Sequence, residues 1–109
     1  MSDLQMLINK IRQFNKERDW SQFHNAKDLA LAISIEAAEL NELFLWKKAE
    51  DADAEKVKEE LADIFTYALQ LADKYEFDVY KIVADKVDKN ALKYPVDKAK
   101  GSAKKYNEL

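Results

Sequence analysis

Leu4, Leu7, Ile8, Ile11 and Phe14 recur at three- and four-residue intervals, the period of one helix face. Ser2-Asp3-Leu4-Gln5 has the S-x-x-Q form of a capping box, so a first helix is predicted from Ser2 to near Arg18. Asp19 to Asn25 breaks the period and reads as a loop carrying Trp20, Phe23 and His24. Asn25 is a good N-cap, and a second helix is predicted from it to Lys47. Leu29, Ile33, Ala37, Leu40 and Phe44 form its main stripe, with Leu31, Ile35 and Leu43 beside it. A helix this apolar is expected at the centre of a bundle or in a subunit interface. Lys48 to Asp53 reads as a turn. A third helix is predicted over Ala54 to Lys74, with Val57, Leu61, Ile64, Ala68 and Leu71 inward and Phe65, Leu69 and Ala72 widening the stripe. After a connection at Lys74 to Asp78, a fourth helix runs from Val79 to Lys93 with Val79, Ile82, Val83 and Val87 inward. Pro95 ends it, and residues 95–109 read as a lysine-rich tail ordered only by contact. The pattern predicts one all-α domain over 1–109, a four-helix bundle-like arrangement without repeats.

Composition narrows the chemistry. The chain has 109 residues, enough for one domain with a modest core, so assembly as a homo-oligomer is expected. One Gly, one Pro and no Cys argue against hairpin-rich folds and exclude disulfides, thiolate metal sites and a cysteine nucleophile. A single His excludes sites that need two imidazoles from one chain. No apolar run approaches the roughly 20 residues of a membrane span, and no signal peptide is visible, so a cytoplasmic protein without a membrane partner is expected. The net charge of −3 gives no sign of nucleic-acid binding. Its distribution is uneven: residues 36–63 hold ten acidic residues against four Lys, and residues 81–109 hold eight Lys against four acidic residues. Two solvated helix faces account for such a split. That is the plainer account, and sites for a cation and for phosphate are the other.

Glu36 and Glu39 share a face of the second helix, and Glu36 falls inside the apolar stripe, one turn from Ile33 and from Leu40. Glu60 and Asp63 repeat the arrangement on the third helix, with Glu60 one turn from Val57 and Ile64. Antiparallel packing of these helices brings the pairs face to face. Two such charges at 4 Å repel by about 4 kcal/mol at an effective dielectric of 20. Four ionised carboxylates coexist there only around a cation, and an all-oxygen set suits Mg²⁺, Mn²⁺ or Ca²⁺. The plainer alternative is a structural set paired with a buried lysine. Glu42, Glu55 and Glu59 read as solvated, with Glu42 and Glu59 near enough to join an outer ring. Lys86, Asn90 and Lys93 form a polar stripe on the fourth helix that suits a polyphosphate, or a solvated face. Trp20, Phe23, His24 and Trp46 can stack on or hydrogen-bond a base. Trp46, at the end of an apolar helix, reads by default as core or interface; Trp20, in a polar loop, does not.

The run Arg18-Asp19-Trp20-Ser21-Gln22-Phe23-His24, then Glu36-Ala37-Ala38-Glu39-Leu40 and Trp46, resembles the MazG-like all-α nucleotide pyrophosphohydrolases. Glu59-Glu60-Leu61-Ala62-Asp63-Ile64 is similar to that family's second motif and Lys93-Tyr94-Pro95-Val96 to its C-terminal one. The likeness covers about residues 4–106 and is nearest to the dCTP pyrophosphatase-like subgroup. It departs at Ile11, where some dCTP-specific members carry a histidine. The resemblance implies a Mg²⁺-dependent enzyme, with Mn²⁺ as a substitute, that splits a nucleoside triphosphate into monophosphate and pyrophosphate. It implies Glu36, Glu39, Glu60 and Asp63 as metal ligands; the residues leave open which carboxylate orients the attacking water, and Glu39 is taken for that role. Trp20, His24, Trp46 and Tyr67 line the base and sugar pocket by the same match, and Lys86, Asn90 and Lys93 contact phosphates. It also implies a homodimer or homotetramer. A non-catalytic helical interaction module and a divalent-cation-binding regulator are the alternatives.

Overall fold

The computed structural model describes residues 1–109, and they form helices and turns without a strand. The α-helices are α1 (Asp3–Glu17), α2 (Ala26–Glu42), α3 (Ala54–Lys74), α4 (Val79–Lys93) and the short α5 (Val96–Ala99). Single 3₁₀ turns lie at Ser21–Phe23, Ala49–Asp51 and Tyr106–Glu108. The all-α expectation holds. The chain divides into two compact units, Met1–Glu76 and Phe77–Leu109. No helix is long and apolar enough to cross a membrane.

Each long helix starts where a polar side chain satisfies otherwise orphaned N–H groups. Ser2 Oγ accepts from Gln5 N at 3.1 Å, Asn25 Oδ1 from Asp28 N at 2.9 Å, and Asp78 Oδ1 from Lys81 N at 3.1 Å. Asp53 Oδ1 accepts from both Glu55 N and Lys56 N. These caps explain why the predicted starts coincide with the observed ones.

Helix ends were harder to read. With one glycine in the chain, the left-handed positions after helices fall to Asp19 (φ 52°), Trp46 (φ 62°) and Glu76 (φ 58°). Each costs about 1–2 kcal/mol relative to glycine-like freedom. α2 ends at Glu42 rather than at the expected Lys47. Beyond it Phe44 N bonds to Asn41 O, Leu45 N to Glu42 O and Lys47 N to Phe44 O, the tighter three-residue spacing, and the left-handed Trp46 stops the spiral. The expected tail is also more regular than anticipated, since it contains α5 and a 3₁₀ turn.

In the first unit α3 is the shared partner: α2 packs along it and α1 crosses onto it. Leu29 of α2 and Leu69 of α3 are the buried apolar residues. The buried arc of α3 is displaced from the predicted one. Ile64, Tyr67 and Leu71 are half-buried, whereas Leu61, Phe65 and Ala68 are exposed. On α2, Leu31 and Ile35 are exposed. α1 meets α3, and Leu31 and Ile35 of α2 and Leu61 and Phe65 of α3 stay uncovered. In the second unit Ile82, Val83 and Val87, expected inward, are exposed, because α5 and the last turn offer α4 too little surface. Tyr94 and Tyr106 meet edge to face there, with ring centroids 6.2 Å apart.

Arg12 joins α1 to α3. Its Nε donates to Asp73 Oδ2 at 2.8 Å and its Nη2 to Asp73 Oδ1, a two-pronged pair. The Arg12 side chain holds the Asp73 carboxyl below the usual range, chiefly through this hydrogen bond.

Candidate functional site

Glu36 stands one turn from Ile33 and Leu40 on α2, and Glu60 one turn from Val57 and Ile64 on α3. Because these are the faces along which α2 and α3 pack, the two carboxylates meet at the seam. Oxygens of Glu36, Glu60 and Asp63 lie within 4.8 Å of one another. Oε2 of Glu36 and Oε2 of Glu60 are buried and have no hydrogen-bond partner. None of the ion pairs, Arg12–Asp73, Arg18–Glu17, Lys58–Glu55 and Lys81–Asp85, reaches this cluster, so the salt-bridged alternative finds no support. The Glu36 carboxyl is pushed up to about 7, first by facing Glu60, then by burial, and then by Glu39 and Asp63. A shared proton or a bound cation relieves such a confrontation. Bare carboxylate oxygens without His or Cys fit a hard divalent cation.

Asp63 is exposed on the cluster's open side and lines a cavity of about 420 Å³. α1 contributes Phe14 and Asn15, the following loop Trp20 and His24, and α3 Tyr67 and Gln70. Trp20 is held in place. Its backbone N–H donates to Asn15 O at 3.0 Å, and its indole meets Phe14 and His24 edge-on at 5.6 and 6.3 Å between centroids. Its ring nonetheless stays partly exposed. His24 Nδ1 is buried without a partner. The Tyr67 hydroxyl is pushed up by burial and then by the charges of Glu36, Asp63 and Glu39, so it remains a donor.

The structure therefore brings together Glu36, Glu60 and Asp63, and places Trp20, His24 and Tyr67 around a cavity that Asp63 shares. Glu39 lies outside the three-carboxylate group and is exposed, although its charge reaches Glu36. Trp46 is 94% exposed, which removes the core half of the default expectation. A left-handed φ at a bulky residue that buries nothing is a displayed indole. Lys86, Asn90 and Lys93 lie exposed on α4 in the second unit, where Lys93 Nζ is 5.0 Å from the centroid of the Tyr106 ring. Glu42, Glu55 and Glu59 are exposed, as expected. Sequence reasoning missed Asn15 and Gln70, which bond to each other in the cavity at 2.8 Å. Their signal was available: Asn15 follows Ile11 by one turn, and Gln70 follows Asp63 and Tyr67 on one face of α3.

A MazG-like family model matches residues 31–109. The chain is 40% identical over 105 residues to dCTP pyrophosphatase 1 of Bos taurus, an alignment that covers 89% of this chain and 62% of that protein. It is 37% identical over the same length to dCTP pyrophosphatase 1 of Homo sapiens, again covering 62% of that protein. The chain thus spans somewhat less than two thirds of these curated relatives. The crystal structure of a pyrophosphatase from Archaeoglobus fulgidus superposes with a TM-score of 0.79 at 37% identity, over 87% of this chain and 94% of that one.

The raised Glu36 carboxyl fixes a pH dependence for the metal-free protein. The Glu36 carboxyl titrates near the ordinary 4.5 in the unfolded chain and at about 7 in the folded one. Stability from this group is therefore full below the lower value and is lost as pH rises through the upper one. Thermal melts in chelator from pH 5 to 8 should show a falling melting temperature across that window. Glu36→Gln should flatten the fall and match or exceed wild type at pH 8. A wild-type melting temperature that stays level across the window would remove the carboxylate confrontation.

Proposed function

The chain belongs to the MazG-like family, and from that premise we propose that it is a nucleoside triphosphate pyrophosphohydrolase acting on dCTP-like substrates, with residues 1–109 as one functional domain. The observation that carries this reading is the pair of buried, partnerless carboxylate oxygens on Glu36 and Glu60 beside a cavity walled by Trp20 and Tyr67. A site that only interacted with another protein would need neither. Glu36, Glu60 and Asp63, with Glu39 adjacent, would hold Mg²⁺, or Mn²⁺ in its place. When bound, the cation supplies charge neutralisation for triphosphate oxygens.

The residues then divide the work. Trp20 offers its partly exposed face to the base, and His24 and Tyr67 offer hydrogen-bonding groups to base or sugar. Trp46, displayed on its turn, adds a second aromatic contact, and Lys86, Asn90 and Lys93 take phosphate oxygens. Glu39, exposed and outside the buried group, accepts a proton from the attacking water. The water oxygen bonds to the α-phosphorus, the bond from that phosphorus to the bridging oxygen breaks, and pyrophosphate leaves with the electron pair. Nucleotide-pool house-cleaning is the role that suits this activity.

The exposed flanks of α2, α3 and α4 support a homodimer or homotetramer. Ile35, Phe65, Val83 and Val87 are exposed on these faces, and apolar side chains gathered on a helix face suit a partner surface. Sedimentation equilibrium at micromolar concentration should give a mass of two or four chains, and a single-chain mass throughout would overturn the assembly.

A panel of nucleoside triphosphates should release pyrophosphate with Mg²⁺ and none in chelator, and Glu36→Gln should abolish release while remaining folded. Mg²⁺ at a hundred times its Kd should also stabilise wild type by about 2.7 kcal/mol, because it binds only the assembled cluster. Equal melts with and without Mg²⁺, together with no pyrophosphate, would sink the enzyme reading.

Trp20→Ala should weaken substrate affinity by roughly ten- to a hundredfold, the worth of about 1–3 kcal/mol of base stacking. A collapse in melting temperature with unchanged KM would instead make Trp20 a structural residue.

A further inference from the structure

Asn15 is a polar residue on a face that should be apolar. It lies one turn past Ile11, on the side of α1 that meets α3, and is 8% exposed, the one buried polar residue of the chain. Its Nδ2 donates to Gln70 Oε1 at 2.8 Å. Two primary amides together carry two carbonyls and four N–H bonds, and this contact uses one of each. Asn15 Oδ1 is left as an acceptor and Gln70 Nε2 as a donor, neither with a partner in the protein. Neither is sealed away: the buried partnerless side-chain atoms are His24 Nδ1, Glu36 Oε2 and Glu60 Oε2. Both residues line the cavity that contains Trp20, Tyr67 and Asp63. An apolar pair would join α1 to α3 without the desolvation cost of two amides. What the amides add is a donor and an acceptor, side by side, at the cavity wall.

Gln70 stands seven residues beyond Asp63 on α3, about 10 Å of helix rise. That separation is comparable with the length of a nucleoside. With phosphates at the carboxylates and a base against Trp20, the base would turn its hydrogen-bonding edge towards the amides.

Resting on the nucleotide-hydrolase reading above, we propose that Asn15 and Gln70 read the edge of the base as a reversible couple. If both amides turn over, Gln70 Nε2 donates to Asn15 Oδ1, and the free groups exchange: Asn15 becomes the donor and Gln70 the acceptor. One order matches an exocyclic amine beside a bare ring nitrogen, as in cytosine. The other matches an exocyclic oxygen beside a ring N–H, as in uracil. The couple therefore admits both kinds of pyrimidine, and wild type should cleave dCTP and dUTP with kcat/KM values within about tenfold of each other.

A carboxylate in place of either amide accepts but cannot donate, so it demands a donor from the atom of the base it faces. Of the ring nitrogen and the exocyclic group, one is a donor in cytosine and the other in uracil. Asn15→Asp and Gln70→Glu must therefore shift the dCTP/dUTP ratio of kcat/KM in opposite directions, each by at least about tenfold. The sign states which residue faces the exocyclic group. Any loss from added negative charge cancels in the ratio. The measurement is steady-state pyrophosphate release at pH 8 for wild type and both variants, each first melted to confirm folding. If Asn15→Asp does not fold, Gln70→Glu is compared with Gln70→Leu. The first must then move the ratio, and the second must lower kcat/KM for both nucleotides with the ratio near wild type. Unchanged ratios, or shifts in the same direction, overturn the couple while leaving the hydrolase standing. So does a wild type that cleaves other triphosphates but neither of these two. A wild type that cleaves no triphosphate at all overturns both readings.

Discussion

Glu36 and Glu60 meet oxygen to oxygen across the seam between α2 and α3, with neither buried Oε2 satisfied. Nothing cationic in the protein reaches them, and the Glu36 carboxyl rises to about 7 in consequence. A fold selected for stability alone would have no reason to place two carboxylates one turn from Ile33, Leu40, Val57 and Ile64, where apolar residues would bury without opposition. The arrangement persists because the packing of α2 on α3, anchored by Leu29 and Leu69, tolerates an unfavourable contact at one level of the seam. Strain of that kind, concentrated at one place and supported by its surroundings, gathers at functional sites.

The cavity depends on a second, separate choice, the way α1 is held on α3. Arg12–Asp73 and Asn15–Gln70 bridge the two helices at successive turns through polar groups. Polar bridges keep a wall lined with hydrogen-bonding groups. The left-handed Asp19 then turns the chain so that Trp20 hangs from the carbonyl of Asn15, over the same space. Stacking surface, hydrogen-bonding wall and carboxylates thus come from α1, the loop after it, α2 and α3, and α3 supplies the ruler along which they are spaced.

The small core follows from the same economy. With Leu29 and Leu69 as the buried apolar residues, the stability of an isolated chain would be marginal for its length. Apolar side chains on the open flanks of α2, α3 and α4 are the counterpart of that deficit. These are the side chains that the proposed assembly would cover.

Much of this was legible in the residues. Caps at Ser2 and Asn25 marked helix starts, because a cap is a bond between near neighbours in sequence. Glu36, Glu60 and Asp63 were legible as a group, because helical periodicity places them on facing stripes, and the motif likeness of Trp20, His24 and Tyr67 named three walls of the cavity. Periodicity could not say which arc of an apolar helix has a partner, so Phe65, Val83 and Val87 were expected inward and lie outside. It could not end α2 at Glu42, since that end depends on a left-handed Trp46 that no local propensity favours. Nor could it pair Asn15 with Gln70, fifty-five positions apart, because an amide on an amphipathic helix is ordinary until tertiary packing sets another amide opposite it. Short-range bonds and facing stripes are written in the sequence; which surfaces meet, and which polar atoms are left without a partner when they do, is decided only when the helices pack.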